Sequence, residues 1–144
     1  MAATALPTEL GQYLAVLEQR RTIRKLTDGR FESGLFADLV QAIELTPAAF
    51  NRPPWRVVIL HDQRATFWST VETAFRAQLD SDRLERYLQR LDQFRSGLGA
   101  ILIYEDRAAA HDLQAEFNLS AETSAAFVQQ ALGMLQLSIW LTLT

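Results

Sequence analysis

A cluster of cations near the start of the chain has the residue types that could bind phosphate. Arg20 and Arg21 are followed by Thr22, Ile23 and Arg24. Guanidinium groups pair bidentately with phosphate oxygens, and a neighbouring hydroxyl can complete such a cage. Cations also commonly lie at the C-terminal end of a helix, where they meet the negative end of its dipole. Taken alone, the cluster favours the helix-end interpretation and leaves the phosphate site as the alternative.

A second polar segment precedes a strongly apolar run. It covers residues 46–56, reads Thr-Pro-Ala-Ala-Phe-Asn-Arg-Pro-Pro-Trp-Arg, and leads into the run Val57–Leu60. Proline ends a helix and restricts the residue before it to extended backbone, and β-branched residues favour a strand. The segment therefore predicts a helix stop, a polar loop and a buried strand. Taken singly, Asn51, Pro53 and Pro54 are ordinary loop formers.

Hydrophobic spacing predicts helices and two strands, which must position these two polar segments. The predicted strands are Trp55–Leu60 and Ala100–Tyr104, and the continuous apolar run of the second predicts burial on both faces. The predicted buried face of the second helix consists of Phe36, Leu39, Val40 and Ile43. The predicted helices run from Thr8 to about Gln19, from Ser33 to Pro47, from the cap Asp62 through Phe75, from Asp82 to Arg95, from about Ala108 to Phe117, and from about Ala121 to Leu143.

Composition excludes several classes of protein. The chain has 144 residues, is 49% hydrophobic and carries a formal net charge of −3. These values suit a single domain over residues 1–144 and disfavour a nucleic acid partner. The chain has no cysteine, which suits a reducing cytoplasm, and its start lacks the basic and apolar regions of a signal peptide. No apolar stretch is long enough to predict a membrane span.

The ionisable residues form no pattern that indicates a metal site or an acid/base pair. His61 directly follows a predicted strand, and His111 has no histidine, cysteine or carboxylate four residues further along that would complete a ligand pair. Glu105 and Asp106 are adjacent and therefore point apart on an extended strand end. The sequence predicts no catalytic side chain and no metal ligand.

The last predicted helix is apolar on nearly every side in its later half, Leu132–Leu143. Such a helix is expected at the centre of a domain or of a dimer, with Phe127 and Trp140 packed in the core. The sequence ends at Thr144 without a glycine C-cap or a terminal cation. We expect that the polypeptide is cut within a helix and that its apolar surface mediates association.

In their order and separation, the two polar segments resemble the FMN-dependent nitroreductase family. Members open with Arg-Arg-Ser/Thr-x-Arg/Lys, and residues 47–51 look most like a subgroup with a Pro-x-Ala-Phe-Asn loop before a strand. Pro53 stands where members commonly have glutamine, and Arg52 where they have a small residue. The resemblance implies an α+β fold, a central sheet flanked by helices, whose C-terminal part is missing here. It also implies a homodimer.

On this resemblance, the two segments hold FMN. Arg20, Arg21 and Thr22 would bind its phosphate and ribityl chain, and Arg24 would approach the pyrimidine side of its ring. Asn51 would hydrogen-bond the ring edge, in this family often across the dimer interface. The remaining positions that the resemblance assigns to cofactor binding are Pro47, Ala48, Ala49 and Arg52.

The implied reaction takes hydride from NADH or NADPH and passes two electrons to a small nitroaromatic or quinone-like acceptor. The hydride step needs no side-chain acid, base or nucleophile, in agreement with the missing catalytic pattern. The alternative is a non-catalytic flavin-binding or interaction module, or a truncated fragment of such an enzyme. The cluster Arg20–Arg24 favours the enzyme, and the abrupt end at Thr144 favours the alternative.

Overall fold

The part of the chain that the structure describes contains six α-helices, one short 3₁₀ turn and two strands. The computed structural model describes residues 8–26, 29 and 32–144. In chain order the elements are α1 (Thr8–Gln19), α2 (Leu35–Leu45), a short 3₁₀ turn (Ala49–Asn51), β1 (Trp55–Leu60), α3 (Arg64–Gln78), α4 (Ser81–Arg95), β2 (Ala100–Glu105), α5 (Arg107–Glu116) and α6 (Ala121–Thr142). The predicted order of helices and strands is confirmed. None of the described helices is long and apolar enough to cross a membrane.

The N-caps of α2 and α3 differ from the prediction. The N-cap of α2 is Gly34, so the helix begins after Ser33 rather than at it. The N-cap of α3 is Gln63, which makes no side-chain capping bond. Asp62 was the predicted cap, but its carboxylate lies 2.8 Å from the ring Nδ1 of His61. The Asp62 carboxylate therefore contacts the imidazole of His61 instead of capping α3.

Three other helices begin at well-formed caps. The side chain of Asp80 accepts the backbone N–H of Arg83 at 2.9 Å and starts α4. Asp106 accepts the N–H groups two and three residues further on, at 3.1 and 3.3 Å, and starts α5. Ser120 accepts the N–H of Thr123 at 3.1 Å and starts α6. Each cap satisfies a backbone donor that has no partner inside the helix.

Contacts divide the described chain into two compact units. The helical unit contains the described residues up to Thr22, together with Gly34–Pro54 and Glu105–Thr144. The sheet unit contains the described residues of 23–33 together with Trp55–Tyr104. The helical unit thus holds α1, α2, the 3₁₀ turn, α5 and α6. The sheet unit holds β1, α3, α4 and nearly all of β2.

The core of the helical unit forms around α6. This helix packs against α2, α5 and the 3₁₀ turn. Leu39 of α2 and Leu113 of α5 are both buried against this core. Ser124 Oγ also donates to the Ala110 carbonyl at 3.1 Å, which ties α6 to α5. The buried residues of α6 are Ser124, Val128, Ala131, Leu135 and Ile139, whose spacing places them on one face.

Several predicted apolar faces are covered only in part. On α2, Leu39 is buried as predicted, but Phe36 is 54% exposed because α6, the main neighbour of this helix, covers one side of it. The outer side of α6 leaves Leu137 and Trp140 exposed, so the predicted core position of Trp140 is wrong for the single chain. The helix α1 buries none of its residues. Apolar surface on α1 and α6 is therefore available to another molecule.

The two strands of the sheet unit run antiparallel. The backbone N–H of Asp106, just after β2, donates to the carbonyl of Pro54, just before β1, at 2.8 Å. At the other end, a Cβ on Gly99 would come within 2.4 Å of the Leu60 carbonyl oxygen, so only glycine fits there. The start of one strand therefore lies opposite the end of the other.

The prediction that β2 is buried on both faces is wrong. Its first residues are half-buried, and Tyr104 near its end is 52% exposed. The sheet contains only β1 and β2 among the described residues. A two-stranded sheet leaves each strand with an open edge, so an apolar run alone does not secure burial.

An ion-pair network joins α3 to α4 at Glu72. One carboxylate oxygen accepts from Arg76, four residues along α3, at 2.7 Å, and the other accepts from Arg95 of α4 at 2.7 Å. These hydrogen bonds, from Arg95 first and then Arg76, hold the pKa of the Glu72 carboxyl below its ordinary value. The same contact raises the pKa of Arg95. The network fixes the two helices together with aromatic packing of Phe75 against Tyr87.

We expect Glu72→Gln to lower the thermal midpoint by a few degrees at most, because a partly exposed ion pair stabilises weakly. Since the pKa of Glu72 is lowered by folding, its contribution is fully present above the ordinary carboxyl pKa of about 4.3. It is lost as the pH falls through the lowered pKa of the folded state. Thermal melts across this acidic range should show the two proteins converging as the pH falls.

Glu85→Gln is the matched control, since Glu85 lies on α4 and has no ion pair among the described residues. This variant should melt like the parent protein at every pH at which Glu72→Gln differs. An equal loss in both variants would contradict the role of the Glu72 network.

Candidate cofactor site

Arg20 directs a buried hydrogen-bond donor to a place where the described residues offer no acceptor. Its guanidinium carbon lies 4.4 Å from the centroid of the Trp140 ring, which is a cation–π contact. Its backbone N–H donates to the Val16 carbonyl at 3.0 Å and so continues α1. Its Nη1 is buried and has no hydrogen-bond partner among the described residues. An anionic oxygen would satisfy this donor.

Arg21 has a different role from its neighbour. Its Nη1 donates to the backbone carbonyls of Glu18 and Arg20, the second at 2.8 Å. These are unsatisfied carbonyls at the end of α1, so this nitrogen of Arg21 makes the helix-end contact that the sequence favoured for the whole cluster. Thr22 follows with an exposed side chain. The helix-end interpretation therefore describes Arg21, whereas the Arg20 guanidinium contacts Trp140 instead.

The Pro-Ala-Ala-Phe-Asn loop contains two consecutive residues with left-handed backbone. Phe50 and Asn51 both have φ of 56°. This region is unusual for non-glycine residues and more so for a bulky aromatic side chain. Backbone N–H groups of Asn51 and Arg52 donate to the carbonyls of Ala48 and Ala49, each at 3.0 Å, which closes the turn. Strained backbone of this kind persists only where the surroundings hold it.

Aromatic packing supplies that support. The Phe50 ring stacks on Phe117 with centroids 3.8 Å apart and planes 13° apart, and it meets the edge of Phe127 at 6.0 Å. Arg52 Nη2 lies 3.0 Å from the Glu116 carboxylate at the end of α5. The loop is therefore held on both sides of Asn51. The Asn51 side chain itself is exposed.

Other loop residues are placed by the end of α2 and the start of β1. Thr46 Oγ1 donates to the Ala42 carbonyl at 2.7 Å, and its backbone N–H donates to Ile43. Pro47 is exposed, and Ala48 and Ala49 are half-buried. Thr46 is buried, so it anchors the start of the loop as Arg52 anchors its end.

Both motifs meet α6, but at different positions along it. Arg20 contacts Trp140, and Phe50 contacts Phe127. These two α6 residues are thirteen positions apart, which corresponds to about 20 Å along a helix axis. Within one chain, the structure therefore does not bring the cation cluster and the loop to the same part of α6. Arg24 belongs to the sheet unit, where it lines a groove with Lys25 and residues of α4.

Sequence reasoning missed the residues that support these groups. Trp140 was assigned to core packing, yet it lies beneath the Arg20 guanidinium. Phe117 and Glu116 at the end of α5 hold the loop, although neither showed a functional pattern. A phenylalanine within a Pro-x-Ala-Phe-Asn loop was the available signal that an aromatic partner was required. Which residue serves as that aromatic partner depends on how α5 packs against the loop.

The described residues contain no group of three or more histidine and acidic side chains that could hold a metal ion. The nearest acidic neighbour of His111 is Asp112, at 3.8 Å, and both side chains are largely exposed. The two motifs instead supply cations, the Asn51 amide and aromatic rings, at two separate positions along α6. Such groups can bind and orient an anionic, aromatic molecule.

The chain is similar to known proteins of one family. A family model described as the nitroreductase family matches residues 17–144. The nitroreductase CinD from Lactococcus lactis, solved with chloramphenicol, is 26% identical with a TM-score of 0.75, and the match covers 91% of this chain and 67% of CinD. No match was found among curated proteins.

Two more distant structures show the same fold. A nitroreductase from Saccharomyces cerevisiae is 24% identical with a TM-score of 0.75, and the match covers 95% of this chain and 75% of that one. A nitroreductase from Desulfitobacterium hafniense with bound FMN is 18% identical with a TM-score of 0.62, over 90% of this chain and 62% of that one. The chain belongs to the nitroreductase family of oxidoreductases and has a nitroreductase-like α+β fold.

Proposed function

We propose that this chain binds FMN and forms an oxidoreductase that takes hydride from NADH or NADPH and reduces small nitroaromatic or quinone-like acceptors. The observation that carries the proposal is the buried Nη1 of Arg20, which has no partner among the described residues. Family membership supports the cofactor, and the bound FMN of the Desulfitobacterium hafniense protein supports it further.

The residues around Arg20 fit a phosphate. Arg20 contacts Trp140, and its Nη1 has no hydrogen-bond partner among the described residues, so this donor is available to an anion. The exposed hydroxyl of Thr22 is two residues away in the chain. Arg21 uses Nη1 for the end of α1, but a guanidinium has five N–H donors, which leaves others for an anion. A phosphate group would offset the cost of leaving the Arg20 donor buried and unpaired.

The Asn51 loop fits the edge of a flat polar ring. Its amide can both donate and accept, and its backbone is held in one conformation by Phe50 and Arg52. Because the loop and the Arg20 cluster meet α6 about 20 Å apart, Asn51 suits a cofactor bound by the other chain of a dimer. Pro47, Ala48 and Ala49 would complete the backbone wall of that site.

FMN, when bound, supplies the hydride and electron transfer chemistry. The chain's own residues bind and orient the cofactor: Arg20, Arg21 and Thr22 hold its phosphate end. A cation such as Arg24 near the pyrimidine side would stabilise negative charge there. No side-chain acid or base is assigned. CinD was solved with chloramphenicol and with 4-nitrophenol, which supports a small aromatic acceptor for this chain.

The exposed apolar surface of α1 and α6 supports a homodimer. Leu10, Tyr13 and Leu14 of α1 and Leu137 of α6 are exposed in the single chain. An apolar surface of this kind normally marks an interface. A cytoplasmic location is part of the proposal and is supported by the lack of cysteine.

A non-catalytic flavin-binding or interaction module is the second candidate. It is favoured by one observation, that Arg20 and Phe50 contact α6 about 20 Å apart, so a single chain does not bring both motifs to one part of that helix. The chain spans 67% of the length of CinD and 62% of the Desulfitobacterium hafniense protein. The absorbance spectrum of the purified protein and its turnover with NADPH and a quinone separate the two candidates. Oxidised flavin with turnover supports the enzyme, and oxidised flavin without turnover supports the module.

For the cofactor site, we expect Arg20→Gln to weaken FMN binding by about tenfold or more, because charge-assisted hydrogen bonds contribute about 1.5 to 3 kcal/mol. Riboflavin lacks the phosphate, so its affinity should change little. Fluorescence titration of both flavins measures this difference. Arg21→Gln should have a smaller effect on FMN, since part of that guanidinium serves α1.

Equal losses of FMN and riboflavin affinity in Arg20→Gln would indicate damage to the fold instead of a lost phosphate contact. A thermal melt of the same variant tests that outcome directly. An unchanged affinity for FMN would remove Arg20 from the proposed site.

For association, we expect a homodimer at micromolar concentration, with a total buried area of at least about 1,200 Å². Leu137→Glu should produce a monomer, because it places a charge on the exposed apolar side of α6. Light scattering measures the mass of both proteins. Thr73→Glu, on the exposed side of α3, is the control and should remain dimeric. A monomeric parent protein would contradict the proposed assembly.

A further inference from the structure

The sheet unit carries a strongly basic groove along one side of α4. Its volume is about 760 Å³, and its charged lining consists of Arg24, Lys25, Arg86 and Arg90. A smaller neighbouring groove of about 160 Å³ shares Arg86 and Arg90 and adds Arg83. No acidic side chain is among the described residues that line either groove. These five cations are called the basic groove below.

The cations of the basic groove differ from other arginines of the same unit. Arg76 and Arg95 both pair with Glu72. None of the five groove cations has an ion pair among the described residues. This concentration of unpaired positive charge occurs in a chain whose formal net charge is −3. The charge is therefore local and is not a consequence of a basic composition.

Three arginines of α4 are spaced so that their like charges lie close together. Arg83, Arg86 and Arg90 occupy positions i, i+3 and i+7, which lie on one side of a helix. Like charges at these spacings repel one another and destabilise the helix. None of the three is buried, so packing gives no reason for the row. A bound anion would convert this repulsion into a favourable interaction.

The dimensions indicate a ligand with more than one phosphate group. From Arg83 to Arg90 the helix rises about 10 Å, further than a single phosphate extends. Phe94 lines the groove and Tyr87 lines its neighbour, and both rings are partly exposed. Gln89 and Gln93 add amides that can donate and accept. Aromatic faces and amides beside cations suit a base attached to phosphates.

We propose that the basic groove binds the phosphates of the nicotinamide dinucleotide donor and favours NADPH over NADH. The 2′-phosphate of NADPH adds negative charge that NADH lacks. Besides Arg24, which the proposed function assigns to FMN, the groove has four cations without an ion pair among the described residues, more than a pyrophosphate alone requires. The identity of the ligand rests on the proposed function. The existence of a phosphate-binding groove rests on the α4 arginines and on Lys25 beside them.

Calorimetric titration with 2′,5′-ADP tests the groove without requiring flavin or turnover. We expect the parent protein to bind 2′,5′-ADP more tightly than 5′-AMP, which lacks the 2′-phosphate. The double variant Arg86→Gln/Arg90→Gln should lose more than about tenfold in affinity for 2′,5′-ADP. Its thermal midpoint should stay equal or rise, because the substitution removes like-charge repulsion. Arg107→Gln, on α5 and outside the groove, should bind as the parent does.

Kinetics then separate failure of the groove from failure of the proposed function. In an active enzyme, the double variant should raise the KM for NADPH more than the KM for NADH, with little change in kcat. An inactive protein whose 2′,5′-ADP binding depends on Arg86 and Arg90 would support the groove and reject the enzyme. An active protein whose double variant keeps both its 2′,5′-ADP affinity and its NADPH preference would overturn the groove. Tighter binding of a single-stranded RNA oligonucleotide than of 2′,5′-ADP would also overturn the assignment.

Discussion

The packing of one face of α6 is the interaction on which the helical unit depends. Val128, Ala131, Leu135 and Ile139 form a continuous buried stripe, and α2 and α5 cover it. Burial of apolar side chains supplies the main driving force for such packing. The same helix then presents Phe127 to the Asn51 loop and Trp140 to the Arg20 guanidinium. Substitutions in the stripe would therefore disturb both proposed cofactor motifs without touching either.

The two motifs are held by different means, which suits different tasks. Arg20 contacts the face of the Trp140 ring, and its Nη1 has no hydrogen-bond partner among the described residues. The loop is positioned by stacking, turn hydrogen bonds and an ion pair, which together hold two left-handed residues in place. In the proposed function, the Arg20 cation would meet an anion and the held backbone of the loop would present Asn51 to a ring edge, both as forms of preorganisation. Contacts of the Phe50 ring with Phe117 and Phe127 help to hold the strained loop.

Some arginines of the sheet unit join its helices through ion pairs, and others line the basic groove without an ion pair among the described residues. The pairs of Arg76 and Arg95 with Glu72 join α3 to α4. On another side of α4, Arg83, Arg86 and Arg90 have no such partners among the described residues and line the basic groove with Arg24 and Lys25. One helix thus uses one side for packing and another for exposed charge. The apolar periodicity of the sequence predicted only the side of α4 that packs.

The sequence by itself determined the order of the elements and the location of the two motifs. Strand β1 was predicted at its observed bounds because a β-branched run after two prolines is a local signal, and α4 was predicted within one residue because its apolar spacing is regular. The cation cluster and the loop were also recognised locally. Propensity, capping residues and periodicity all act over a few residues, so a single sequence contains them.

Tertiary structure decided what covers each face and which partner each polar group takes. Phe36 and Tyr104 are exposed because no described element covers them, and Asp62 faces His61 instead of capping α3. Arg20 and Arg21 are adjacent and chemically identical, yet one contacts Trp140 and the other the end of α1. These outcomes depend on residues distant in sequence, and burial and hydrogen-bond choice are settled only when those residues meet.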